Sequence, residues 1–333
     1  MNPFFSKSFT GNWIRHFAPR HKVVRLNFIR PMEFVRKKFS PYYFNVGKNL
    51  TNGIHYTIDS NESDFKGKVL LIHDVHQYFH EQPKQVHKRL KIKKVPQYKG
   101  YLSRLDGYKD IDGYLLENLS KKGRYKVRDG EKKLAKQHRI DFKVFTGPVP
   151  KNEYDIVMSA LYGILSKRWD DLGKDNDILR DRDYYYDLVY DMMLSNKASL
   201  NVLYADDTII AVSLCFLSSK VLYFAITSFD PDYSKYSLGH VIIGKIMKWC
   251  IDNGISYFDY SKGDNDYKNR WATDSYLFEN HILYDKGSVS AFLIGNYLYY
   301  FYRFKQELRD KKINVVYSKL KYRLKSIGLM HKN

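Results

Sequence analysis

Two short runs between Tyr223 and Trp271 bring together side chains able to do chemistry. The first is Tyr236-Ser237-Leu238-Gly239-His240. It follows a strand-like run, Val221 to Ser228, rich in residues that suit a pleated surface. After it, Ile242, Ile243, Ile246, Met247 and Cys250 recur at helical spacing. A helix starting here offers free amides and about half a positive charge, which together grip a phosphate. Gly239 lets a ligand approach the backbone. Ser237 is the expected N-cap and Gly254 the expected residue just past the helix end. The second run is Phe258-Asp259-Tyr260-Ser261-Lys262-Gly263-Asp264, continued by Tyr267-Lys268-Asn269-Arg270-Trp271. Asp259 lies at the end of an apolar strand, Ile255 to Tyr260, where partial desolvation would raise a carboxyl towards use as a base. Each residue also has a plainer reading. The turn could start a helix with nothing bound, and Asp259 could only orient the Gly263 turn. Lys268 could pair with Asp259 or Asp264, Trp271 could be core, and His240 could shape the turn.

Holding such groups in place takes strands with helices against them. Strand candidates at Val23 to Ile29, Ile54 to Ile58, Val69 to His73 and Leu90 to Val95 suggest a small α/β half-domain over 1–100. Residues 1–40 carry many basic side chains among aromatics and resemble a basic arm. Gly100 to Leu119 is a polar and aromatic join. Lys121 to Arg139 holds nine Lys and Arg against Asp129 and Glu131. It predicts a helix, weakened at Asp129-Gly130, whose positive face is either solvated or a clamp on phosphates. Ile140 to Thr146 is a strand, and Asn152 to Trp169 an amphipathic helix with Ile156, Val157, Ala160, Leu161, Ile164 and Leu165 inward. An acidic loop at 170–183 and a helix from Tyr184 to Asn196 follow. Then come three meander strands, Ser199 to Tyr204, Thr208 to Leu217 and Val221 to Ser228. Leu277 to Tyr284 supplies a last strand, and Ser288 to about Gly328 a basic, aromatic helical tail.

These residues in this order resemble the GNAT acyltransferase superfamily, in the branch called the CelD/BioF2-like acetyltransferase domain, which is similar to the FemABX peptidyltransferases. The resemblance covers roughly residues 100–285. It implies an α/β fold with a GNAT-like mixed sheet flanked by helices. The expected arrangement is tandem: a GNAT-like half over 1–100, a complete GNAT domain over 101–287 and a basic helical tail over 288–333. It implies an acyl-CoA donor, acetyl-CoA first, held by Tyr236, Ser237, Leu238, Gly239 and His240. Asp259 would be the base, with Asp264 second, and Lys268 would hold the donor carbonyl or a phosphate. Trp271, Tyr267 and Arg168 would bind the substrate, an amine or hydroxyl acceptor such as a cell-envelope or polysaccharide precursor. Many GNAT loops carry Arg/Gln-x-x-Gly-x-Gly/Ala, whereas this chain has one glycine, which leaves room for another acyl donor. Two other readings stay open: a FemABX-like transferase that uses aminoacyl-tRNA, and a non-catalytic binding module.

Composition bounds these readings. The 333 residues carry a formal charge of +20, which attracts a phosphorylated cofactor, nucleic acid or an anionic membrane face. Cys215 and Cys250 lie in apolar runs, so no disulfide framework is expected and a reducing, cytoplasmic setting is. Val289 to Tyr302 is a 14-residue run without charge, short of the roughly 20 that span a bilayer. The tail could instead lie against the inner membrane face as a peripheral contact. His73, His76 and His80 have spacings of three and four, yet no cysteine joins them, and no metal is expected.

Overall fold

The computed structural model describes residues 2–311, apart from 80, 82, 84 and 173–175. The second half of the expected tail, from 312, lies outside the described residues. The chain opens with α1 (Lys7–Phe17) and five short strands, β1 (Val23–Arg25), β2 (Ile29–Arg30), β3 (Glu33–Val35), β4 (Tyr43–Asn45) and β5 (Thr57–Ile58). The longer strands β6 (Val69–His76) and β7 (Leu90–Arg104) follow. Next are α2 (Ile111–Asn118), α3 (Lys121–Gln137), β8 (Ile140–Thr146), α4 (Lys151–Leu172), α5 (Asp177–Arg180) and α6 (Arg182–Leu194). The meander β9 (Ala198–Ala205), β10 (Thr208–Leu217) and β11 (Val221–Phe229) leads to α7 (Leu238–Asp252), β12 (Tyr257–Lys262) and α8 (Asp266–Trp271). The described chain closes with β13 (Asp274–Asp285) and α9 (Val289–Asp310).

These elements form two compact units, neither of them one continuous segment. The first comprises Met1–His21, Asn49–Ile54 and Tyr98–Tyr276. The second comprises Lys22–Lys48, His55–Gln97 and the chain from Leu277. This differs from a division at 100 and 287. Strands β7 and β13 each begin in one unit and end in the other.

In the first unit the strand order is β7-β12-β11-β10-β9-β8. All neighbours are antiparallel except β11 and β12, which are parallel. Leu203, Ala211, Cys215, Leu222 and Phe258 share a core with Leu115, Leu134, Ile242 and Ile246, so α2, α3 and α7 cover one sheet face. Phe216, one residue on from Cys215, faces the other way, where its ring meets Phe4. Phe4, Phe9 and Trp13 are buried, so the start of the chain is core. The expected basic arm is corrected to a packed helix whose aromatics, not its cations, decide its place.

Three further expectations change. The Gly100 to Leu119 join contains the end of β7 and α2, whose N-cap Asp110 accepts from the Gly113 amide. Helix α3 runs unbroken through Asp129-Gly130. Ile156 is exposed, while Tyr154 and Met158 are buried beside Val157, Leu161 and Leu165. In the second unit the strand order includes β1-β3-β4-β6-β13. Helix α9 lies on it through Ala291, Leu298 and Tyr302, which pack with Val69, Leu71 and Ile282. His73 and His76 lie on β6, a strand rather than a helix. Among the described residues no group of His, Cys, Asp or Glu is placed to hold a metal, and no helix is long and apolar enough to cross a membrane.

Candidate active site

Strands β11 and β12 pair over only three residues, Val221, Leu222 and Tyr223 against Tyr257, Phe258 and Asp259. Among the described residues their pairing ends there, although β11 continues to Phe229. Parallel strands that part at their carboxyl ends leave a crevice where α/β proteins take ligands. Helix α7 starts at this end, after two turns of 3₁₀ helix at Pro231–Tyr236. The expected cap is corrected. Ser237 holds the N-cap position in the left-handed conformation, φ 54°, and its side chain makes no cap hydrogen bond. Its carbonyl accepts from His240 N at 2.8 Å, and among the described residues no hydrogen bond engages the amides of Leu238 and Gly239.

Around these amides the chain gathers cations. Arg168, from α4, places its guanidinium 4.6 Å from the centre of the Phe229 ring. Gly239 lies against the same ring, and a Cβ there would come 3.3 Å from Phe229 Cε1. Arg168 also acts on the Tyr267 phenol: burial pushes that group up to about 12 and the guanidinium pulls it back. Lys126 of α3 and Arg270 of α8 both face His240. Burial, then Lys126, then Arg270 hold that imidazole below its ordinary value. Trp271 Nε1 donates to His240 Nδ1 at 3.1 Å, and the two rings stack. With Nδ1 accepting from Trp271, the neutral imidazole of His240 carries its proton on Nε2. Tyr236 and Leu238, both expected in the grip, point into the core. The Tyr236 hydroxyl bonds Gln137 of α3.

The second run divides differently from expectation. Asp259 is fully buried. Its oxygens accept from the Tyr276 hydroxyl at 2.9 and 2.8 Å, and Oδ1 also accepts from Ser261 N at 2.6 Å. A carboxylate so held orients the turn, the plainer of the two readings of Asp259. Trp271, also fully buried, is a pillar under His240 and not a pocket wall. Its carbonyl accepts from Tyr114 and from Ser103 Oγ at 3.0 Å. Lys268 is 4% exposed, and its ammonium donates to the carbonyls of Ser261 at 3.3 Å and Lys262 at 2.6 Å. Burial brings it down to about 8, against the pull of Asp259 and Asp264. Asp264 is exposed and accepts from the Tyr101 hydroxyl at 2.5 Å and from Asn269 at 3.1 Å. Those two bonds, the Tyr101 one first, hold it below the usual carboxylate range. Lys126 belongs to the basic stretch read as a possible clamp on phosphates, whereas Phe229, Tyr101 and Tyr276 escaped the sequence reading. Each joins the site through tertiary packing, and no local pattern marks them.

A parallel pair that parts beside a helix start, inside a mixed sheet, is a place where α/β proteins take ligands. Residues 121–269 match the family model of the acetyltransferase (GNAT) domain. No curated protein matches the chain in sequence. A conserved protein of unknown function from Bacteroides thetaiotaomicron has the same fold, with a TM-score of 0.53 at 10% identity over 85% of this chain and 90% of that one. The C-terminal domain of a putative lysylphosphatidylglycerol synthetase from Agrobacterium fabrum gives 0.50 at 11% identity, over 87% and 91%. FemX gives 0.49 at 12% identity, over 76% and 83%.

Proposed function

We propose that this protein transfers an acyl group from acyl-CoA to an amine or hydroxyl acceptor in the cytoplasm. The convergence of the free Leu238 and Gly239 amides with Arg168, Lys126 and Arg270 at the start of α7 carries this reading. Such a cluster suits the phosphates of the donor. The crevice between β11 and β12 would take the acyl arm, and the neutral His240 would donate from Nε2 to a donor oxygen. Asp264, ionised and exposed, would hold the acceptor. Lys268, at about 8, would take its proton. The acceptor nitrogen or oxygen attacks the thioester carbonyl, the new C–N or C–O bond forms and the C–S bond breaks. The acceptor proton passes through Lys268 to the leaving thiolate.

Titration calorimetry with acetyl-CoA tests the donor. We expect saturable binding, weakened roughly tenfold by Arg168→Ala, about the worth of one charge-assisted contact. Heats that show no saturation with the wild-type chain would refute the coenzyme A assignment. A second reading, an aminoacyl donor carried on tRNA, is favoured by α3, which exposes Lys121, Lys122, Lys132 and Lys136. The Agrobacterium neighbour is named for making an aminoacylated lipid. Under this reading tRNA affinity falls steeply between low and moderate salt. Equally weak binding of tRNA and unrelated polyanions would count against it.

A further inference from the structure

Helix α9 buries one side in the second unit and leaves the other uncovered. Val289, Leu293, Tyr297, Tyr300 and Phe304 are 59–78% exposed. At about 100° per residue they fall within roughly 80° of arc, opposite the buried Ala291, Gly295, Leu298 and Tyr302. Gly295 seats the helix closely, since a Cβ there would meet the Tyr284 ring at 2.4 Å. The outward stripe is therefore a second apolar face on a helix already packed. It runs about 22 Å at 1.5 Å per residue. No charged residue occurs from Gly287 to Tyr302.

A second element reaches the same place. The turn between β3 and β4 carries Arg36-Lys37-Lys38-Phe39, all exposed, with Phe39 at 90%. Tyr42, at the end of this turn, packs against the cluster that holds Ala291, Leu298 and Tyr302 of α9, and burial and then Tyr297 of the stripe hold its phenol above its ordinary value. Lys48 is held below its own by burial, then by Lys37 of the turn and Lys305 of α9. Aromatic tips and crowded lysines thus occur together on two elements far apart in sequence. From Lys286 onward the chain has eleven Lys and Arg against Glu307 and Asp310, a surplus of nine within a total of +20. Glu307 faces Arg303 at 3.8 Å.

We propose that the α9 stripe and the Phe39 turn form a docking surface for an anionic lipid leaflet. The chemistry favours lipid over a second copy of the chain. Tyr and Phe suit the headgroup boundary, with rings in the acyl region and hydroxyls in water. Lysines at the rim suit lipid phosphates. Two copies meeting through this face would set lysine turn against lysine turn. This surface is independent of the proposed transfer chemistry.

Sedimentation of the full chain with vesicles tests it, using one part phosphatidylglycerol to three parts phosphatidylcholine, and phosphatidylcholine alone. The wild-type chain should bind the anionic vesicles at least tenfold more tightly than the neutral ones. Tyr297→Asp should weaken that binding at least tenfold while circular dichroism melting stays in place. Phe39→Ala, in an exposed turn where folding is not at stake, should weaken it several-fold. Wild-type protein left in the supernatant would overturn the proposal, as would equal binding to both vesicles or unchanged binding by both variants. A wild-type dimer that Tyr297→Asp converts to monomer would also overturn it and assign the face to a second copy.

Discussion

Asp259 and Asp264 stand five residues apart and differ in every physical respect. One is sealed under Tyr276; the other is exposed and held by Tyr101 and Asn269. Removing the charge at Asp259 leaves buried donors poorly matched. Asp259→Asn should cost about 2–3 kcal/mol and Tyr276→Phe about 1.5–3 kcal/mol, read by urea unfolding. Asp264→Asn should leave the unfolding midpoint in place and raise the acceptor KM. Lys268 gives the pH signature. Below about 8 it carries its proton and cannot accept another. The rate should therefore rise with pH through an apparent pKa near 8, and Lys268→Arg should abolish that limb. A profile flat from pH 6 to 9 in the wild-type enzyme would remove Lys268 from the proton path. At this scale the sequence named the acids and the lysine correctly as neighbours. It could not rank them, because burial depends on Tyr276 and Tyr101, set by pairing between distant strands.

The crossing of α3 over the approach to α7 is a matter of whole elements. A Cβ at Gly130 would come 2.4 Å from the Tyr236 carbonyl oxygen, so the glycine that promised a weak point is where two elements touch. Propensity alone credits Gly130→Ala with about 1 kcal/mol of added stability. The clash should reverse the sign and cost about 1–3 kcal/mol overall. Gly163 in α4 is the control, with nothing within 4 Å of a Cβ. Gly163→Ala should stabilise by about 0.5–1 kcal/mol. Thermal melts of the two variants shifting the same way would refute the contact argument. The meander and the two long helices were legible because their apolar periods run long. Helices α1 and α2 were not: α1 is short and rich in basic and polar residues, and α2 has two inward residues, Tyr114 and Leu115.

Across the whole molecule, acid is the predicted weakness. Burial depresses the imidazoles of His55, His240 and His281 below 6.5, so the unfolded chain binds these protons more tightly. Their contribution to stability is complete above 6.5 and drains away as pH falls below it. His281 is the most enclosed, bonded to Tyr56 at 2.7 Å and Glu279 at 2.9 Å. Melting temperature should hold from pH 8 to 7 and drop between pH 6.5 and 5. His281→Gln should flatten the drop, and an unchanged slope would exclude it as a source. The α/β class was legible from the order of strands and helices. The interleaving of the two units was not, because nothing local marks Met1–His21 and Tyr98–Tyr276 as one body.

That interleaving sets a timetable for synthesis. The ribosome delivers Phe4, Phe9 and Trp13 well before the strands they pack on, and their unit is complete only at Tyr276. At about 5–20 residues per second, those aromatics wait about 13–54 s for their unit to be complete. The other unit must wait longer still, for α9. A nascent chain with both cores open for that long is a natural client for chaperones that shield apolar segments.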